Sequence, residues 1–163
     1  MSATFNVDEI LEMAQQIERN GAKFYRKAAE GAAGDTSKDM LLRLAAMEDE
    51  HEKTFGEMRR GLSAKEQAST TFDPDGQAAL YLQSIADGHV FDVKVDPSEA
   101  LTGNETATEI LKTAIGLEKD SIVFYIGLQE LVGKALGREK VDNIIREEVS
   151  HITTLSSELA KVR

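Results

Sequence analysis

The sequence predicts an all-α fold: a four-helix bundle with one long crossover between helices 2 and 3. Three observations carry this. Apolar residues recur at helical spacing through four long segments. Short turns join the first segment to the second and the third to the fourth, whereas residues 61–103 separate the second from the third. The first pair of segments also returns in the second pair one hundred positions later. Leu11 matches Leu111, Ala14 matches Ala114, Glu18 matches Glu118, Phe24-Tyr25 matches Phe124-Tyr125, and Leu44 matches Ile144. Glu48-Asp-Glu-His51 is answered by Glu148-Val-Ser-His151. The halves read as a duplicated helix pair related by a pseudo-twofold axis.

Helix 1 is expected over residues 7–31, with Asn6 and Glu9 as a capping box. Its inward stripe is Leu11, Ala14, Glu18, Gly21, Tyr25 and Ala28, flanked by Ile10, Ile17 and Phe24. The Gly31–Asp35 stretch is a turn. Helix 2 is expected over residues 37–60, with the stripe Leu41, Leu44, Glu48, His51, Phe55 and Met58, and Gly61 as its stop. Within the connection, Asp73-Pro-Asp-Gly76 has turn chemistry, residues 77–86 read as a short helix, residues 90–95 as weakly extended, and Asp96-Pro-Ser-Glu99 as one further turn. Helix 3 is expected over residues 104–132, with Thr102 and Glu105 as its cap and the stripe Leu111, Ala114, Glu118, Ser121, Tyr125 and Leu128. Helix 4 follows Gly133 and Gly137 and runs to about residue 161, with the stripe Val141, Ile144, Glu148, His151 and Leu155, which Glu158 breaks near the end. Short turns make helices 1 and 2 antiparallel, and likewise 3 and 4. The long connection lets the chain travel back along the bundle before helix 3.

Size and composition narrow the function. At 163 residues the chain is expected to form a single domain, residues 1–163, with a sizeable core. A net charge of −10 without a basic stripe argues against nucleic acid or an anionic membrane as partner. No apolar run spans a bilayer and no signal peptide is evident, so the cytoplasm is the expected location. The absence of cysteine removes disulfides, thiol catalysis, iron–sulfur clusters and cysteine-based zinc sites.

The stripes carry charge where a helical core should be apolar. Glu and His three apart lie on one helical face and can grip one ion. A lone Glu-x-x-His is weak evidence, but here there are two, and they use two of the three histidines. Each is preceded, thirty residues earlier, by a Glu on the inward stripe of the preceding helix. One Glu from each of two helices plus Glu-x-x-His from each of the other two is the ligand set of a dimetal carboxylate bundle. The candidate metal ligands are therefore Glu18, Glu48, His51, Glu118, Glu148 and His151. Glu18 and Glu118 would be terminal, Glu48 and Glu148 bridging, and each His would cap one ion. Four carboxylates balance two divalent ions. The competing reading is a protonated polar core or an ion-pair layer, but no Lys or Arg occupies these stripes. Mixed carboxylate and imidazole ligation disfavours Mg²⁺ and Ca²⁺ and fits Fe or Mn, with Zn possible in vitro.

Other residues around this set invite a role. Gly21 and Ser121 sit one turn after the lone glutamates, where small side chains leave room for a diatomic or simply allow close helix packing. Tyr25 and Tyr125 lie two turns after those glutamates and lean back towards the site. They are candidate catalytic groups, as donors to a carboxylate or of a proton or electron. Aromatic packing with a satisfied hydroxyl is the competing role. Glu147 is expected to point elsewhere as a surface acid, and His89 to be exposed or packed.

On these residues (Glu18 with Phe24-Tyr25, Glu48-Asp-Glu-His51, Glu118 with Phe124-Tyr125, Glu148-Val-Ser-His151) the chain resembles the ferritin-like superfamily, and specifically the diiron domain of the rubrerythrin family. The resemblance covers the four helices. It implies a ferritin-like four-helix bundle, two Fe ions as cofactor, and redox chemistry on hydrogen peroxide or O₂. Two departures stand out. Typical members carry a rubredoxin-like domain with a four-cysteine iron site, which this chain cannot form, so a separate electron-donor protein is expected. Typical members also carry Glu-x-x-Glu on helix 3, where this chain has Glu118-Lys-Asp-Ser121. The six remaining ligands equally resemble a bacterioferritin ferroxidase centre. The expected partners are a small oxidant, that donor protein and a second copy of the chain. The function is expected to be peroxide or O₂ reduction, set against iron binding or ferroxidation without peroxidase turnover, and against a helical interaction module that keeps the site for stability.

Overall fold

The computed structural model describes residues 6–64, 80–81, 84, 95–132 and 134–162. Four long helices dominate them: α1 (Val7–Glu30), α2 (Asp35–Arg60), α3 (Ala107–Leu131) and α4 (Arg138–Lys161). Two 3₁₀ turns, Pro97–Ala100 and Lys134–Leu136, precede α3 and α4. Among the described residues there is no strand, and no helix is long and apolar enough to cross a membrane.

The helix ends follow local chemistry. At the start of α1, the Asn6 side chain accepts from the Glu9 N–H while the Glu9 carboxylate accepts from the Asn6 N–H, the reciprocal box its sequence predicts. α2 begins at Asp35, two residues earlier than expected. Gly34 makes the reversal at φ 106°, where a side chain would be strained, and Asp35 places a carboxylate in the positively polarised first turn. α3 begins at Ala107, later than expected, because two Thr-x-x-Glu boxes stand in succession. The first forms a turn: Glu105 accepts from the N–H groups of Thr102 and Gly103. The second, Thr106 with Glu109, caps the helix. Asp96 accepts from the Ser98 N–H and starts the 3₁₀ turn expected there.

Leu80, Tyr81 and Ser84, within the short helix expected over 77–86, are helical. The rest of that segment, the turn at 73–76, His89 and residues 90–94 lie outside the described residues. Tyr81 lies over Gly127, where an added Cβ would come within 2.2 Å of the ring, and its hydroxyl donates to the Val123 carbonyl. A residue without a side chain is what lets this aromatic reach α3.

α1 packs against α2 and α3 against α4, while α1 also meets α3 and α2 meets α4. Arg59 near the end of α2 ion-pairs with Asp8 and Glu12 near the start of α1, fixing those two as antiparallel. Buried side chains form two apolar clusters. One joins Ile10, Leu11 and Ala14 to Phe55, Met58, Phe124, Tyr125, Leu128, Val141 and Ile144. The other joins Phe24, Tyr25 and Ala28 to Leu41, Leu44, Leu111, Ala114, Leu155 and Leu159. Each draws on all four helices, and the early part of α1 shares a cluster with the late part of α3, so these helices also run antiparallel. The inward stripes are buried throughout, except at Gly21 and Ser121, which are half-buried. Glu158 is half-buried too, and Leu159 carries the α4 stripe onward in its place. Between the clusters lies a polar layer.

Candidate metal centre

That polar layer is built from six side chains. α1 contributes Glu18, α2 contributes Glu48 and His51, α3 contributes Glu118, and α4 contributes Glu148 and His151. The three-residue step puts each Glu–His pair on one face, and the apolar residues one turn above and below hold that face inward. None of the six is more than 4 % exposed.

Their contacts are reciprocal. His51 Nδ1 lies 2.8 Å from Glu148 Oε1, 3.5 Å from Glu18 Oε2 and 3.9 Å from Glu48 Oε2. His151 Nδ1 lies 3.1 Å from Glu48 Oε1, 3.4 Å from Glu118 Oε1 and 3.8 Å from Glu148 Oε2. The imidazoles stack with centroids 5.7 Å apart and planes inclined by 17°. Two overlapping groups result, Glu18/Glu48/His51/Glu148 and Glu48/Glu118/Glu148/His151, each with ligand atoms within 4.8 Å of one another. Glu48 and Glu148 belong to both, which is the position bridging carboxylates require.

The unpaired atoms and the charge balance point to a cation as the partner of this layer. Buried polar atoms are normally hydrogen-bonded, yet Glu18 Oε2, Glu48 Oε1, both Glu148 oxygens and both His Nδ1 atoms have no hydrogen-bond partner. Among the described residues no Lys or Arg ion-pairs with any of the four carboxylates. Burial, reinforced by Glu18 and Glu118, pushes Glu48 and Glu148 well above the usual carboxylate range. Burial acts the same way on Glu118, but its close approach to Glu148 and His151, together with the Tyr25 hydroxyl, outweighs it and holds this carboxyl below that range. Burial opposes charge on His51, but the Glu148 and Glu18 carboxylates beside it overcome this and push the imidazole up to about 11. Orphaned oxygen and nitrogen donors converging from three helices, with Glu118 beside them from the fourth, fit divalent transition ions and leave the ion-pair reading without a cation.

The tyrosines close the layer. Tyr25 donates its hydroxyl to Glu118 Oε1 and Tyr125 donates to Glu18 Oε1, each crossing from one half of the duplication to the other. Burial first, then the neighbouring carboxylates, raise both phenols well above their ordinary range, so they remain protonated donors. Each also packs edge-on against its neighbouring phenylalanine, at 5.7 Å for Phe24–Tyr25 and 5.8 Å for Phe124–Tyr125. The two roles weighed from the sequence coexist.

Glu147 corrects the sequence reading. Its side chain is half-exposed, yet Oε2 lies 2.6 Å from His51 Nε2. Because α2 and α4 run antiparallel, the residue just before the inward Glu of one helix reaches the outer edge of the other helix's histidine. The repeat concealed this, since the matching position holds Met47. Ser121 turns its hydroxyl back to the Leu117 carbonyl at 3.0 Å and supplies no ligand. Gly21 and Ser121 instead border a cavity of about 280 Å³ between α1 and α3, which reaches Tyr25, Glu48 and Glu118 and is roofed by Val95 and Pro97. A Cβ on Gly21 would sit 3.5 Å from Glu48 Oε2, an ordinary contact, so a methyl group would take up space beside the shared carboxylate without displacing it.

Four antiparallel helices presenting two Glu and two Glu-x-x-His to a buried layer define a ferritin-like, carboxylate-rich metal-binding bundle. The chain belongs to the rubrerythrin family, whose model, described as Rubrerythrin, matches residues 9–159. Its fold is similar to that of a crystal structure from Thermotoga maritima, described as a ferritin-like diiron-carboxylate protein, at 29% identity over 100% of both chains with a TM-score of 0.79. No curated protein matches the chain. Without cysteine, the chain itself holds no rubredoxin-type iron site.

Proposed function

We propose that this protein is a non-haem diiron oxidoreductase of rubrerythrin type, reducing hydrogen peroxide or O₂. The observation that carries the reading is the pair of overlapping, buried, metal-accepting groups sharing Glu48 and Glu148. Glu18, Glu48, His51 and Glu148 would hold one ion, and Glu48, Glu118, Glu148 and His151 the other. When bound there, two ferrous ions supply one electron each, which with two protons convert hydrogen peroxide to two molecules of water.

The chain supplies position, access and protons. Tyr25 and Tyr125 fix the terminal carboxylates and hold a proton at Glu118 Oε1 and Glu18 Oε1. The cavity beside Gly21 and Ser121 gives a small oxidant a path to Glu48 and Glu118. Asp120, on its wall, is raised by partial burial and so holds a proton more readily than an ordinary aspartate. The apolar clusters exclude water from both ends of the layer. Electrons to restore the ferrous state come from a separate donor protein, because the chain has no cysteine-bound iron of its own. We place the protein in the cytoplasm as a homodimer.

Ser121 supports a second reading. A Glu there would add a carboxylate, whereas the Ser hydroxyl is committed to its own helix. The alternative is an iron-binding or ferroxidase protein without peroxidase turnover. Loading the protein with Fe²⁺ under anaerobic conditions and mixing it with peroxide or O₂ separates the readings. Oxidation within seconds of peroxide addition, repeated on re-reduction, supports the oxidoreductase. Oxidation by O₂ alone supports the ferroxidase, and a spectrum that ignores both oxidants defeats both. Light scattering that finds a cage rather than a dimer would redirect the reading to storage.

A further inference from the structure

The six inner side chains obey the pseudo-twofold, but the groups behind the histidines do not. Both imidazoles turn Nδ1 inward and Nε2 outward. His51 Nε2 meets the Glu147 carboxylate at 2.6 Å. His151 Nε2 is equally buried and has no hydrogen-bond partner among the described residues. The difference is one residue: the position matching Glu147 holds Met47, whose thioether cannot offer a carboxylate.

An imidazole with a carboxylate behind it is fixed in tautomer and orientation and becomes a stronger ligand. Binding a cation at His51 Nδ1 leaves the Nε2–H···Glu147 bond in place, so Glu147 supports the bound form directly. The cavity adds a second, independent asymmetry. It reaches Glu118 and its partner Tyr25, which belong to the His151 position alone, and the shared Glu48; neither histidine, Glu18 nor Glu148 lines it.

We infer that the two metal positions are unequal. The position around His51, braced by Glu147, fills first and holds its ion tightly. The position around His151, with an unsupported imidazole and with the cavity against its Glu118, fills second and exchanges its ion. Glu147 is the positioning residue that sets the order, acting through His51. The inference rests on the reading of this layer as a two-metal site, but not on peroxide or O₂ chemistry.

The test is an anaerobic titration of the metal-free protein with Co²⁺ alone, followed by calorimetry and by visible absorption of the bound ion. The expected result is two resolved steps. E147A should weaken the tighter step by about 10- to 100-fold, the usual cost of losing such a partner, and leave the weaker step unchanged. E147Q, which can still accept from Nε2–H, should restore part of the loss. M47E should tighten the weaker step and bring the two together. Both positions are partly exposed, so the variants should fold, which the melting temperature of the metal-free forms checks. Two equal steps in the parent protein, an E147A variant that weakens both steps alike or neither, or an M47E variant that leaves the weaker step unmoved would overturn the inequality. Absence of any Co²⁺ binding would overturn the two-metal reading with it. Two ordered steps in a protein inert to peroxide and O₂ would leave the inequality standing and remove only the oxidoreductase.

Discussion

The α1–α2 half and the α3–α4 half place the same three ligand types in the middle of the bundle and surround them differently. His51 has Glu147 behind it, whereas His151 has no such support among the described residues. Gly21 faces Ser121 across the cavity, and Asn20 stands where the other half has Asp120. The duplication is strict at the six inward Glu and His side chains and relaxed one layer out. Charge compensation is a property of the whole layer: removing one carboxylate strands every other charge. The surrounding groups act on one histidine or one wall each, so they can diverge without emptying the site.

The sharpest way to break this comparison is to remove a group that both halves use. Glu148→Ala deletes a member of both ligand groups, so metal analysis should find both ions lost, whereas Glu118→Ala should cost mainly the ion beside His151. Equal losses in the two variants would show that the layer does not divide as the geometry divides it. A pH series comes next. In metal-free protein, Glu48 and Glu148 keep protons that the unfolded chain gives up above the ordinary carboxylate range. The stability they contribute is therefore complete below that range and is lost as pH rises through their raised values. His51 has the same sign: its contribution is present below the ordinary imidazole range and is lost as pH rises through about 11. The melting temperature of the metal-free protein should thus fall from pH 5 to pH 9 (on the order of several degrees), and bound metal should flatten the dependence. The smallest effect separates the tyrosines. Tyr25 lines the cavity and Tyr125 does not, so Tyr25→Phe should slow oxidation of the iron-loaded protein by about tenfold, the worth of one charge-assisted hydrogen bond. Tyr125→Phe should act less in stopped-flow traces.

Much of this was legible in the sequence because the chain is periodic twice over, at the helical repeat and at the hundred-residue repeat. The four helices, the antiparallel pairing and the convergence of Glu18, Glu48, His51, Glu118, Glu148 and His151 all follow from stripe phase. What escaped lies off the stripes. The start of α3 was misplaced because Thr102-x-x-Glu105 and Thr106-x-x-Glu109 carry the same signature, and only backbone geometry decides which one opens the helix. Glu147 was misread because a residue one position before an inward Glu points away from its own helix's seam. It meets a histidine only through the neighbouring antiparallel helix. Comparing the halves position by position then hid it further, since Glu against Met47 looks like drift on a surface. The cavity was foreshadowed by two small residues, but its extent depends on the seating of Val95 and Pro97, which no periodicity governs.

Neither helical hairpin owns a complete set of ligands: each group of four takes one carboxylate from the opposite hairpin. A bound cation is therefore a tie across the duplication, joining segments that the backbone connects only through residues 61–106. Emptying the site with a chelator would do more than disarm it. It would untie the hairpins, and protease sensitivity at their seam would become a measure of how much metal the protein is carrying.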